Sequence, residues 1–247
     1  MGGVGAVMDL KELLSGHTEK SLSKKEIAKY MHFCYMNARD LFFDAKLLLE
    51  NRRYARAFSL CVLSLEELAK IPILANGVHL KKDDKERWKS FWASLRKHEV
   101  KQGVWQYYGR LLLSKTERAK YYESKFPKDF PLDKLKQRGF YVDFIGKEPM
   151  IPNILFLHCK TVRDAAFKIA EDRLRAFYPL HSKIEYSEEL VKFASKTKID
   201  GMSKEEFIDI ILKRVKQKSN TFAGKDIVIT LRPPKMKSAC LKKKTTS

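Results

Sequence analysis

No stretch of the 247 residues comes near the roughly 18 consecutive apolar positions that a membrane-spanning helix needs. The best run, residues 57–65, is nine long and interrupted by Ser59 and Ser64, so it reads as a buried helix. Cysteine is scarce. Cys34, Cys61, Cys159 and Cys240 lie 27, 98 and 81 residues apart, which offers neither zinc-ligand spacing nor a compact disulfide framework. The amino terminus lacks a basic segment followed by an apolar one, so no secretory signal is expected. It opens Met-Gly but carries Ala6 where N-myristoylation favours Ser or Thr. No glycine-rich phosphate loop is present, because the glycines of residues 2–5 precede no strand–helix unit. Nor do His and carboxylates cluster at helical spacing, so no metal and no other cofactor is expected. These absences predict a reduced, cytoplasmic protein with no membrane and no energy-driven chemistry.

Acidic residues are few against the bases: 30 Asp plus Glu to 50 Lys plus Arg, a formal charge of +20. Such a surplus concentrates polyanions, and nucleic acid is the usual partner. Charge by itself does not separate RNA from DNA, the ribosome or anionic lipid. Hydrophobic residues at 44% and aromatics at 11% are enough for a sizeable core and exclude global disorder.

Residues 1–22 are Gly-rich and then polar, and read as a flexible arm. Ser23 with Glu26 three positions on has the capping-box pattern. From Ile27 apolar residues recur near helical spacing through Met31, Cys34, Ala38, Phe42 and Ala45, until Asn51, Arg52 and Arg53 break the run. A second helix is expected over about residues 54–71. It is apolar nearly all round, hence central in a bundle, and Pro72 should end or bend it. A third helix carries Trp88, Phe91, Trp92 and Leu95 and continues past Trp105 towards Leu113. Residues 124–153, with four prolines and two glycines, read as a structured loop, extended near residues 139–144. A fourth helix spans about residues 153–177 and stops at Pro179. This is an all-α helical bundle of four to five helices over residues 23–182. Residues 183–247 form a basic C-terminal appendage, with helices at about 187–196 and 203–216, a strand-like run at 226–231 and a disordered end. From Lys213 onward eleven Lys or Arg face one acidic residue, Asp226, which is half the net charge.

Charges in the central helix conflict with its pattern. Glu66, Glu67 and Lys70 interrupt an otherwise apolar helix, and a buried charge costs several kcal/mol unless it is paired. A structural ion pair would satisfy that demand as well as a functional site would. On the third helix His98 and Lys101 share a face. A histidine can exchange protons near neutral pH and a lysine can meet a phosphoryl oxygen, which is what metal-independent RNA cleavage requires. The structural reading is a solvated helix edge. Arg175 and His181, with five residues between them, offer another phosphate-plus-base pairing.

Residues 51–70, NRRYARAFSLCVLSLEELAK, resemble the signature of the AbiV family of phage abortive-infection proteins, in which a small-residue helix leads into Glu-Glu-x-x-Lys. His98-x-x-Lys101, and Arg138-Gly-Phe-Tyr-Val-Asp143 followed by Pro149 or Pro152, resemble the family's next two blocks. The likeness runs in order over roughly residues 25–180. It implies an HEPN-like helical bundle, a superfamily whose members often dimerise and often act as metal-independent ribonucleases. It therefore implies a phage-defence effector that cleaves RNA and blocks translation, with Glu66, Glu67, Lys70, His98 and Lys101 as site residues. His98 would be the acid or base and Lys101 the phosphate stabiliser. Lys70 would assist that cation or be held by Glu66 or Glu67, which would also orient His98. HEPN nucleases commonly carry Arg-x(4–6)-His, which Arg175 and His181 fit. The other reading is a non-catalytic module that sequesters RNA, the ribosome or a phage protein, or a regulator triggered by a phage partner.

Overall fold

The computed structural model describes residues 20–101, 103–104, 132–145, 147–158, 160–181 and 183–223. The expected N-terminal arm (but for its last three residues), the extension of the third helix from Trp105, the strand-like run at 226–231 and the terminal tail lie outside the described residues. Among those described, the chain is a helical bundle with a single two-stranded hairpin.

Helix α1 (Lys24–Glu50) begins at the expected capping box. The Ser23 hydroxyl accepts from the Glu26 amide at 3.2 Å, and the Glu26 carboxylate accepts from the Ser23 amide at 2.8 Å. Its buried residues, Ile27, Met31, Cys34, Ala38, Phe42 and Ala45, repeat every three or four positions and make one stripe. Arg52, at φ 57°, turns the chain into α2 (Tyr54–Asn76). Arg53 offers no side-chain cap there. Asn153 supplies the polar groups instead, accepting from the Ala55 amide at 3.3 Å and donating to the Arg52 carbonyl at 3.0 Å.

Helix α2 is central, as its all-round apolar pattern requires, and the stripe of α1 lies along it. Ser64 in α2 donates to the Ala38 carbonyl at 2.6 Å, so this buried hydroxyl is satisfied across the interface. Pro72 does not end the helix, which continues to Asn76. The proline forfeits one backbone bond, and the flanking buried Ile71, Ile73 and Leu74 hold the helix in place by continuing its apolar contacts.

Helix α3 (Lys85–Arg96) buries Trp88, Phe91, Trp92 and Leu95 as expected, but it is shorter than its pattern suggested. Lys97 is extended, at ψ 120°, and a new helical stretch starts at His98. The segment expected to be loop contains α4 (Leu132–Arg138) and a hairpin of β1 (Asp143–Ile145) and β2 (Glu148–Met150), antiparallel with Phe144 opposite Pro149. Pro149 sits within β2, an edge strand of the two-stranded sheet, and Pro152 opens the next helix, so these prolines fit regular elements although composition alone read as loop.

The expected fourth helix is α5 (Pro152–His158) and α6 (Lys160–His181). It runs past Pro179, which sits in the final turn, where losing one backbone bond ends little of the helix. Helices α7 (Ile184–Lys196) and α8 (Lys204–Ala223) follow, the second opened by a Ser203–Glu206 capping box. Leu190, Val191, Ala194, Phe207, Ile211 and Val215 join the same hydrophobic core as α1, α2 and α6.

Candidate active site

The conflict in α2 resolves into a polar centre. Glu66, only 3% exposed, is met by groups from two other segments. Lys136 Nζ of α4 lies 2.8 Å from its Oε1, Lys101 Nζ lies 3.3 Å from its Oε2, and His98 Nδ1 lies 2.5 Å from Oε2. Both lysines are buried, and Asp133 completes the group with Oδ1 2.8 Å from Lys136 Nζ. Two carboxylates, buried Glu66 and the partly exposed Asp133, face two buried ammonium groups, so these four charges balance.

Burial opposes ionisation of Glu66, but the hydrogen bond and charge of Lys136, then His98 and Lys101, outweigh it and hold the carboxyl below its ordinary value of about 4.5. A group whose folded-state pKa is depressed stabilises the fold above its unfolded-state pKa, and that contribution is lost as pH falls through the folded value. Thermal melts between pH 7 and pH 3 should therefore show Glu66→Gln melting lower than wild type near neutrality. The gap should narrow below about pH 4.5, where the unfolded chain's carboxyl takes up its proton while the folded one still resists, and close once pH falls through the folded value. A gap independent of pH would contradict an ionised Glu66.

His98 has a different exposure from its partners: its side chain is 44% exposed while the carboxylate it touches is buried. A carboxylate oxygen and a ring nitrogen 2.5 Å apart need a proton between them. Nδ1 therefore donates to Glu66, and in the neutral ring Nε2 is left as the proton acceptor. The arrangement can fix a tautomer, orient an imidazole and stabilise its protonated form, as a buried carboxylate does in hydrolytic triads.

Glu66, His98 and Asp133 also bring three potential metal-ligand atoms within 4.8 Å of one another. Lys136 Nζ occupies the corresponding cation position, 2.8 Å from the Glu66 and Asp133 oxygens and 3.1 Å from His98 Nδ1. A divalent ion would have to displace a buried ammonium that already pairs with both carboxylates.

Of the residues singled out in the sequence, the fold brings together Glu66, His98 and Lys101. Glu67 and Lys70 form their own half-buried ion pair, 2.5 Å apart, since adjacent helical residues point about 100° apart. Burial works against the Lys70 ammonium, yet the hydrogen bond and charge of Glu67 raise its pKa. The neighbouring Cys34 thiol is pushed up by burial and by Glu67, which leaves it inert. Arg175 pairs with Glu171 one turn back on α6, at 2.9 Å, and His181 is the last residue of that helix. Sequence reasoning missed Lys136 and Asp133. Their one signal was the i, i+3 spacing of opposite charges, each directly after a leucine (Leu132 and Leu135), too short a run to stand out beside the prolines.

The family model for AbiV, of HEPN type, matches residues 26–158, which runs from the first turn of α1 to the end of α5 and holds every residue of the polar centre. That is more than half the chain. The chain belongs to the AbiV family. No curated protein and no solved structure matches it. Membership places this AbiV chain among proteins of phage abortive infection and agrees with its all-α, HEPN-like bundle. Among the described residues no helix is long and apolar enough to cross a membrane.

Proposed function

We propose that this AbiV protein is a metal-independent endoribonuclease that halts translation in the infected cell, with His98 as its proton-transfer residue. The observation that carries this reading is the short contact between His98 Nδ1 and buried Glu66 while the imidazole itself stays half-exposed. Nε2 would take the proton of a ribose 2′-hydroxyl. The 2′-oxygen would then attack phosphorus, the bond to the 5′-oxygen would break, and that oxygen would leave with a proton from water. The products are a 2′,3′-cyclic phosphate and a 5′-hydroxyl. Lys101 and Lys136 keep Glu66 ionised so that it orients the ring and offsets the imidazolium charge. The phosphate charge would be met by exposed cations nearby in the chain, Lys97 beside His98 and Lys134 on α4. RNA, free or in the ribosome, is the proposed partner, a phage protein the proposed trigger, and a homodimer the assembly that HEPN membership suggests.

One observation favours the other reading, a module that sequesters RNA, ribosome or phage protein without cleaving. The lysines that could stabilise a phosphorane are buried against Glu66, which suits a structural ion network. Infection of cells carrying wild type or His98→Ala separates the two. A nuclease loses its phage protection on His98→Ala by about a hundredfold or more, with discrete RNA fragments in the wild-type cells alone. Protection by His98→Ala at equal protein abundance, over intact RNA, would establish sequestration instead.

A further inference from the structure

Among the described residues eight large hydrophobic side chains are exposed, and six of them fall between residues 140 and 154: Phe140, Tyr141, Val142, Phe144, Ile151 and Ile154. Tyr141, Val142 and Phe144 are 66%, 65% and 64% exposed. An apolar concentration of this kind at the surface marks a binding face. Two depressions flank it. One, of about 260 Å³, is lined by Arg53, Arg56, Phe140 and Val142 among others. The second, of about 520 Å³, is lined by Asp133, Lys134, Arg138 and Tyr141 among others. Asp133 belongs at the same time to the Glu66 centre through Lys136, so α4 joins the apolar face directly to the candidate active site.

The rim of this face is cationic. Arg53, Arg56, Lys134, Arg138 and Lys147 are exposed there, against Glu148 and an Asp133 carboxylate already paired with Lys136. A second copy of the chain would bring the same positive rim against it and be repelled. A polyanion that also carries flat apolar surfaces fits both features. Three of the six side chains are aromatic, and aromatic platforms edged with Arg and Lys hold single-stranded nucleic acid by stacking its bases and neutralising its phosphates.

We infer that the face formed by Phe140, Tyr141 and Phe144 with Arg53, Arg56 and Lys134 is a platform for single-stranded RNA that leads the strand to His98. This rests on the reading of His98 as the centre of an RNA-cleaving site. Bases stack on the aromatic rings, phosphates meet the arginines of the α1–α2 turn and the lysine of α4, and the short α4 carries the strand past Asp133 towards the imidazole. Duplex RNA, its bases already stacked, cannot use the rings.

The test uses the full chain carrying His98→Ala, which prevents turnover, and an unstructured oligoribonucleotide of about 12 residues containing 2-aminopurine. Binding should quench the fluorescence, because quenching reports a stacked base and not mere attraction to the basic tail. Adding Tyr141→Ala and Phe144→Ala should abolish the quenching and weaken binding at least about tenfold, with an unchanged melting temperature. Arg53→Ala with Arg56→Ala should weaken binding and lower the salt dependence by about two phosphate contacts. A duplex of the same sequence should show no quenching. Equal quenching and affinity in the aromatic variant would overturn the platform. So would a change in oligomeric state on the aromatic substitutions with RNA affinity intact, since the face would then be a protein interface. Aromatic-dependent binding with no cleavage by the His98 protein would keep the platform and remove the nuclease. Cleavage that persists in the aromatic variant would do the reverse.

Discussion

Glu66→Ala is expected to lower the stability of the fold by about 3–5 kcal/mol, the usual cost of removing one member of a buried ion network. The reason is what remains. Lys101 and Lys136 stay buried, and only Asp133 is left to balance the two charges. Denaturant unfolding followed by circular dichroism measures the loss directly. The size of this effect does not distinguish a structural network from a functional one, but a compensated variant does. Replacing Glu66 by Leu together with Lys101→Met and Lys136→Met removes every buried charge at similar volume. Such replacements are often neutral or stabilising, so the triple variant should recover most of the stability lost by Glu66→Ala. It should remain without RNA cleavage, because nothing then holds the His98 tautomer. Recovery of stability and activity together would reduce the centre to a core device.

The other large effect is expected at Gly139, immediately after α4. A Cβ there would overlap Ser59 Oγ and come within 2.8 Å of the Ala55 carbonyl oxygen, both on α2. The contact is close because α4 is pinned to α2 at this point: the Ser59 hydroxyl donates to the Lys136 carbonyl at 2.8 Å. Gly139→Ala should therefore push α4 off α2 and carry Lys136 away from Glu66, costing about 1–3 kcal/mol through overpacking and a disproportionate loss of activity. Adding Ser59→Ala removes the worst overlap and should restore part of the stability. The clash with the Ala55 backbone remains, so rescue should be incomplete. An additive double variant would mean that α4 is not clamped here.

The long helices could be read from the sequence because their signals are local. The stripe from Ile27 to Ala45 and the boxes at Ser23 and Ser203 depend only on neighbouring residues. Pro72 and Pro179 misled because a helix fixed by tertiary contacts tolerates the loss of one backbone bond. The pause at Lys97 left no mark, since the apolar stripe of α3 ends at Leu95 in any case. Glu66 was conspicuous for an energetic reason: a charge on an all-apolar helix must find partners. Periodicity could not say which partners: His98 and Lys101 stood out by their own chemistry, and the likeness to AbiV joined them to Glu66 as one site. Lys136 arrives from a seven-residue helix, 70 positions along the chain from Glu66, and only the fold brings it there. The same holds for α7 and α8, whose amphipathic patterns predicted helices but not the surface they cover.

The central claim is that His98, held by Glu66, performs proton transfer in RNA cleavage. The most direct measurement is the rate at which purified wild type and His98→Ala cut RNA in excess EDTA, with the product ends assigned as cyclic phosphate or not. Lys101 and Lys136 still pair with Glu66 when the half-exposed His98 is replaced, so His98→Ala should melt somewhat lower yet stay folded at the assay temperature. A melt of each protein keeps the comparison between folded chains. Wild type should cut RNA to leave 2′,3′-cyclic phosphate ends, and His98→Ala should be slower by about a hundredfold or more. Equal rates in the two proteins, or wild-type cleavage that EDTA abolishes, would contradict the claim.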